Sequence, residues 1–474
     1  MAVPVQALSR VLWAKTIGQQ KLLARGGQAW DLLHIEKLVK FMVKRRKMSL
    51  LFRQSTTCAA LACAGFLLGA SLYASILPPD RTGGPTPAWA RANVGVEGGI
   101  PNSSNMTVYA TVPAGASSST IQAALNACPS NQVVQLSAGN YPNLSGIRIP
   151  NGVVLRGAGM TSTVLTFTSG GIGAGGSDFA HLLRVGTYGA PPGYGIANWT
   201  AGYAQGGSNL TFSTTSGLSV GNIVYLDQIN DPFYVSYAGY EGPRIGGRDQ
   251  NHEQMQMCEV QNVNGNTVTV WPPIAMPNWS GALSPAASWM AGSSWVRKAG
   301  VENLTIDGSV SGGIGANQGN IAFSSARDCW VQNVKSLNGY RCHIAFEYGG
   351  FRNEARHCYF YGTQHAAQES YGIITIVCSS CLVEDNIFEK VASPILPQDC
   401  SSMNVSAYNY TTNNYYTGGS GYLMASIDDH ANHICMNLNE GNYGNGFAGD
   451  FIWGSGSHNV AFRNRYTGWE PYQY

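Results

Sequence analysis

Short apolar runs set between glycines and asparagines, a low content of charge and a repeat of 22 to 29 residues in the C-terminal half predict an all-β chain wound as a parallel β-helix. Only 11% of the 474 residues are charged and 44% are hydrophobic, which excludes an extended charged coil and supplies material for a core. The 58 glycines, with plentiful Asn, Ser and Thr, suit turns between short strands and an uncharged polar surface. The repeat appears when Cys329-Trp330-Val331-Gln332-Asn333 is set over Cys358-Tyr359-Phe360-Tyr361-Gly362, Cys381-Leu382-Val383-Glu384-Asp385 and Met403-Asn404-Val405-Ser406-Ala407, at spacings of 29, 23 and 22 residues. Cys378 and Cys400, each followed by two serines, repeat at 22, and further copies fall near Cys435–Leu438 and Val460–Arg463. Units of this length, with several short strands and no helix between them, each make one coil, stacked about 4.8 Å apart.

The order along the chain begins with a basic leader. Residues 1–53 hold 11 basic and 2 acidic side chains, whereas residues 91–474 hold 16 basic and 23 acidic. The mildly acidic bulk lacks the basic footprint of a nucleic-acid binder. Residues 1–47 read as a leader extension, with Met42 or Met48 as an alternative start. Lys44–Lys47 followed by the apolar run Thr56–Leu77 makes 48–90 a signal peptide or a membrane anchor, with a small-x-small cleavage site at Ala88–Ala90. The chain is therefore expected outside the cytoplasm, in contact with a membrane only through that segment if it stays uncleaved. Residues 91–117, rich in Gly, Pro, Ser and Asn, read as a linker. Ile121, Ala124 and Leu125 give 120–127 the spacing of a short amphipathic helix, and the runs at 133–136, 147–149, 153–157 and 164–167 read as strands. Together they make 118–168 the cap and first coils. Residues 169–300 read as a loop and an inserted β subdomain, with a hairpin turn at Asn264-Gly265-Asn266. Gly171–Gly176 fits a dinucleotide-binding glycine pattern, yet no helix follows and no βαβ unit surrounds it, so it reads as loop. Residues 301–474 are the main coils, expected to be truncated at the C-terminus.

The runs Thr120–Leu125, Val133–Tyr141 and Ile149–Gly159 resemble the capping helix and first coils of pectate-lyase-like β-helix proteins, and Val301–Gly308 resembles a coil entry of the same superfamily. The likeness covers about residues 118–168 and 300–474. It implies a right-handed parallel β-helix with a short N-terminal capping helix and an inserted small β subdomain. It also implies polysaccharide as the partner. That superfamily includes lyases, hydrolases, epimerases, tail spikes and adhesins, so the fold alone does not choose the chemistry. Ile427-Asp428-Asp429-His430 is similar to the Trp-Ile-Asp-His run of pectate lyases, with the Trp lost and an Asp inserted, and their Arg-x-Pro-x-x-Arg run is absent.

Nine cysteines follow the leader. Cys329, Cys358 and Cys381 are assigned to one inward-facing column as small apolar residues, and Cys378 and Cys400 to neighbouring coils where a bridge is conceivable. Cys378-x-x-Cys381 has metal-like spacing, but the columns already account for both members.

The candidate site is the acidic and histidine cluster late in the chain. Glu347, Asp399 and Asp429 are placed near one column at strand ends. Asp399, Asp428, Asp429 and His430 are the candidate catalytic groups, since neighbouring acids raise one pKa and create a general acid beside a carboxylate. Asp399 and Asp429 are also candidate Ca²⁺ ligands, Ca²⁺ taking oxygen donors. His433, Glu440, Asp450, His458 and Arg463 are the candidate substrate-binding groups. The expectation is an exported protein that binds and cleaves polysaccharide as a lyase or glycoside hydrolase; the alternative is a non-catalytic surface adhesin or spike-like module.

Overall fold

The computed structural model describes Trp89 and residues 93–468, apart from 170, 174–179, 187–196, 236–251, 291–294, 311–318, 367–369, 419–424, 450–453 and 455. The leader before residue 89 and Asp450 therefore lie outside the described residues. Among the described residues no helix is long and apolar enough to cross a membrane.

Parallel strands stack into three faces. The first runs from Val108–Val112 through Gln132–Leu136 and Val153–Arg156 to Glu354–Arg356, Leu382–Glu384, Val405–Ala407, Leu438–Glu440 and Val460–Phe462. The second includes Thr163–Phe167, Tyr359–Thr363, Ile387–Glu389, Tyr410–Thr412, Tyr443–Gly444 and Arg465–Tyr466. Gly300–Asp307 and Trp330–Gly339 each continue around the corner between these faces, which joins them in one 17-stranded sheet. The third face contains His181–Gly186, Gly319–Arg327, Cys342–Phe351, Tyr371–Ser379, Ser393–Gln398, Ile427–Asp429 and Phe447–Gly449. This stacking is the parallel β-helix that the repeat predicts.

The inward positions repeat from coil to coil, so like residues fall on like. Leu183, Ile321, Ile344, Ile373, Ile395 and Ile427 line the third face from within, and Phe360 stacks on Phe388 with centroids 4.8 Å apart, the spacing of neighbouring strands. Helix α1, Ser118–Ala127, is capped by the Ser117 hydroxyl, which accepts from Thr120 N–H, and it buries Ile121 and Leu125 against the first coils.

Two corners of each coil share one device. A left-handed residue, such as Ser380, Met403, Met436 or His458 at the first corner and Asp385, Tyr408, Gly441 or Arg463 at the second, reverses the chain. The residue after it turns inward and is often asparagine. Asn404 Oδ1 accepts the Cys381 N–H at 2.8 Å, Asn437 that of Asn404 at 2.8 Å and Asn459 that of Asn437 at 2.9 Å. At the second corner Asn386, Asn409, Asn442 and Asn464 accept from the coil before at 2.8–3.1 Å. These bonds satisfy backbone groups that the turns withdraw from the sheets.

The register corrects the cysteine alignment. Cys329 and Cys381 sit at the first corner, but Cys358 precedes Tyr359, which pairs with Lys335, and so belongs to the second. Asn404, rather than Met403, follows Cys381 in the column. Cys378 packs in the inner core and Cys400 in the cluster on the outside of the third face, and both are free thiols, so no bridge links them.

Residues 197–289 close into a six-stranded antiparallel barrel, whose hairpin turn at Asn264–Asn266 joins Gln254–Asn264 to Thr267–Trp271. The barrel interrupts the coils between the third face and the first. Its Ile223, Tyr225, Met255 and Met257 pack with Tyr348, Ile376, Val377 and Cys400 outside the third face. Arg327 pairs with Glu259 at 2.8 Å, Met257 N–H donates to Ser379 Oγ at 3.1 Å, and Asn432 Nδ2 donates to Glu253 Oε2 at 2.8 Å.

Candidate functional site

The outward side of the third face carries buried charge. Three columns run across it. His181, Gly319, Cys342, Tyr371 and Ser393 form the first. Arg148, Arg184, Ala322, Ala345, Ile374 and Leu396 form the second. Gly186, Ser324, Glu347, Ile376, Gln398 and His430 form the third.

At its centre Arg184 Nη2 lies 2.8 Å from Glu347 Oε1, with side-chain exposures of 0% and 2%. The same nitrogen donates to Ser324 Oγ at 2.7 Å, and that hydroxyl donates to Glu347 Oε1 at 2.7 Å. Burial raises the Glu347 pKa, against the lowering pull of Arg184 and the Ser324 hydrogen bond. Arg148, one coil below, has its pKa lowered by burial and then by the Arg184 charge.

Beside this pair lie His181, with Nε2 3.8 Å from Cys342 Sγ, and Arg341, whose guanidinium sits 5.2 Å from the centre of the Tyr371 ring. His181, Arg341, Cys342, Glu347, Ile376 and Gln398 contribute to a cavity of about 20 Å³, sized for one water or one carboxylate oxygen. The recess is bordered by the Arg341 guanidinium, the His181 imidazole and the Glu347 carboxyl, with the Tyr371 ring against Arg341 and the Arg184 guanidinium paired to Glu347.

The structure divides the acids and histidines singled out in the sequence. Asp428 is half-buried on the strand Ile427–Asp429, where Ser393 Oγ donates to its Oδ2 at 3.4 Å. Asp428 and His430 belong to this outer surface, on the strand three coils beyond Glu347. Asp429, between them, is buried and accepts from Asn459 Nδ2 at 2.9 Å. Burial and then the Asp428 charge push its pKa up to about 8. Asp399 is a left-handed corner residue next to Cys400, at the seam with the barrel, and Gln398 Nε2 donates to its Oδ2 at 3.2 Å.

Glu347 therefore shares its column with Gln398 and His430, and the single column of Glu347, Asp399 and Asp429 is corrected: Asp429 stands one residue before it and Asp399 one after. Among the described residues no three His, Cys, Asp or Glu side chains gather as a metal set.

The remaining candidates lie elsewhere. His433 is buried, its pKa pushed down to about 4 by burial, with Asp231 pulling the other way. Glu440 and Arg463 form an ion pair on the ridge between the first and second faces, with the Tyr408 hydroxyl beside them. His458 is a corner residue of the first asparagine ladder. Sequence reasoning missed His181, Arg184, Arg341 and Tyr371. One signal was available: Arg184 interrupts His181-Leu182-Leu183-Arg184-Val185, a run that otherwise reads as wholly buried strand.

No family model matches the chain, and no curated protein matches it. Solved structures do. A tailspike of Pseudomonas phage phi297 is similar over 68% of this chain, at 14% identity and a TM-score of 0.43. This chain spans about half of that protein, 52%. An alginate lyase from Paenibacillus sp. is similar over 70% of this chain and 76% of its own, at 12% identity and a TM-score of 0.37. PfbA, a surface adhesin of Streptococcus pneumoniae, is similar over 76% of this chain and 79% of its own, at 10% identity and a TM-score of 0.34.

Proposed function

We propose that the chain is an extracellular or surface β-helix that binds an acidic polysaccharide on the outside of its third face and cleaves it there by elimination. The observation that supports this is the recess lined by His181, Arg341 and Glu347, with Tyr371 against the Arg341 guanidinium and Arg184 paired to Glu347. A guanidinium facing a uronate carboxylate acidifies the neighbouring C–H. The His181 imidazole takes that proton, the carbon–oxygen bond to the leaving sugar breaks as the double bond forms, and the Tyr371 phenol gives its proton to the leaving oxygen.

Hydrolysis is the poorer fit. It calls for two carboxyl groups roughly 5–9.5 Å apart. Glu347 and Asp428, the acids of this surface among the described residues, stand three coils apart, roughly 14 Å at the spacing of stacked strands.

The test incubates the full chain with polygalacturonate, alginate and neutral dextran, following ultraviolet absorbance of the unsaturated product and the release of reducing ends. Absorbance on an acidic polymer, abolished by Arg341→Ala, is the expected result. Reducing ends without absorbance would replace elimination by hydrolysis, and binding without either product would make the protein an adhesin.

A further inference from the structure

The outward side of the second face differs in kind. Its first column reads Lys335, Tyr359, Ile387, Tyr410, Tyr443 and Arg465, on six successive coils. Tyr361 and Glu389 stand in the next outward column. Ile387 is 45% exposed and Tyr410 44%, and the Tyr410 and Tyr443 rings stack 4.9 Å apart at 13°. Each end of the stripe carries cations over rings. Lys335 lies 5.7 Å from the Tyr359 centroid, Lys390 5.4 Å from Tyr361 and Arg465 5.6 Å from Tyr443. Glu389, whose Oε2 accepts from the Tyr359 hydroxyl at 2.7 Å, is the acid among them.

We propose that this stripe is a second polysaccharide-binding surface, a platform on which one acidic glycan chain lies along the coil axis. It shares only the ligand class with the reading above, and it needs no reaction. The Tyr410 and Tyr443 rings stack on each other and Arg465 lies over Tyr443, so the stripe offers a glycan the exposed Ile387 side chain, the ring edges and the phenol hydroxyls, with Glu389 and the cations among them. The stacking repeat of the coils is close to the length of one sugar residue, so successive sugars meet successive side chains of the column. Three cations against one acid give the stripe a positive balance within a part of the chain that is acidic overall, which suits carboxylate or sulfate groups on the glycan. A second copy of the chain fits less well, because interfaces between proteins are depleted in Lys and Glu, and both are interleaved with these rings.

Affinity electrophoresis of the full chain through gels holding polygalacturonate, alginate or dextran tests the platform. The pair Tyr410→Ala and Tyr443→Ala is expected to weaken affinity for the acidic polymers about tenfold or more, by loss of two rings' packing. Tyr410→Phe and Tyr443→Phe should keep most of it, and circular dichroism should show every variant folded as the wild type. Lys335→Ala with Lys390→Ala should lower affinity and flatten its salt dependence. Retardation of the tyrosine pair equal to that of the wild type would overturn the proposal. So would absence of retardation in the wild type, or a wild-type dimer in sedimentation that the tyrosine pair splits. Arg341→Ala separates the two readings: it should stop product formation, and in that background the Tyr410→Ala and Tyr443→Ala pair should still lower retardation, so a failure of cleavage alone strikes only the third-face site.

Discussion

The second and third faces are built from the same coils, yet their outer sides are opposites. One shows partly exposed tyrosines with cations over several of the rings; the other hides an ion pair at 0% and 2% exposure. The inward sides differ little, both being stacked Phe, Ile and Leu. A β-helix thus keeps stability on its lining and leaves each outer side free to specialise. Exposed rings cost the fold little and are available to a ligand, whereas buried charge is tolerable only with its partner in place.

Breaking the buried pair should have the largest effect. Glu347→Leu leaves the Arg184 charge buried and unmatched, and about 3–5 kcal/mol of stability should be lost, read as a fall in the urea midpoint. The double change Arg184→Met with Glu347→Leu should recover most of that loss; a double variant as unstable as the single one would show that the pair is not the cause.

Asp429 carries the contrast to the lining beneath the third face. Its pKa is raised to about 8 in the fold from an ordinary 3.8, so the folded state holds a proton that the unfolded chain releases first. Its contribution is complete below about pH 4 and declines as pH rises towards 8. His433 has the opposite sign. With its pKa lowered from 6.5 to about 4, its contribution is present above about pH 6.5 and lost as pH falls towards 4. Asp429→Asn should remove the decline in stability between about pH 4 and 8 and leave the profile below about pH 4 unchanged.

Asn409→Ala tests what keeps the tyrosine row in line. It removes the acceptor of Asn386 N–H and the donor to Val383 O, at a cost of about 1–3 kcal/mol by urea unfolding. The smallest effect belongs to the outer rings themselves: Tyr410→Ala with Tyr443→Ala should change stability by about 0.5 kcal/mol or less while binding falls. A large loss of stability there would make those rings part of the fold.

The coils were legible because the corner device recurs in sequence as a buried small or amide residue ahead of an apolar strand. It also caused one of the misalignments. Each coil has two such corners, and a cysteine serves at either, so Cys358 mimics Cys329 and Cys381 from the other corner. The site was less legible because its members come from different coils: Arg184 and Glu347 are 163 residues apart, and only register brings them together. Crowding of acids along the sequence between 399 and 433 pointed to neighbours in the chain that alternate in and out. Asp428 therefore reaches the surface while Asp429 does not.

The barrel has a mechanical consequence. Stacked coils normally touch only their neighbours, so they can peel away one at a time from an end. Here the barrel grips Arg327, Ser379 and Asn432, on coils well separated along the stack, through Glu259, the Met257 N–H and Glu253. It acts as a splint across them. Pulling on the chain within that span should meet a single high rupture force in place of a staircase of small ones.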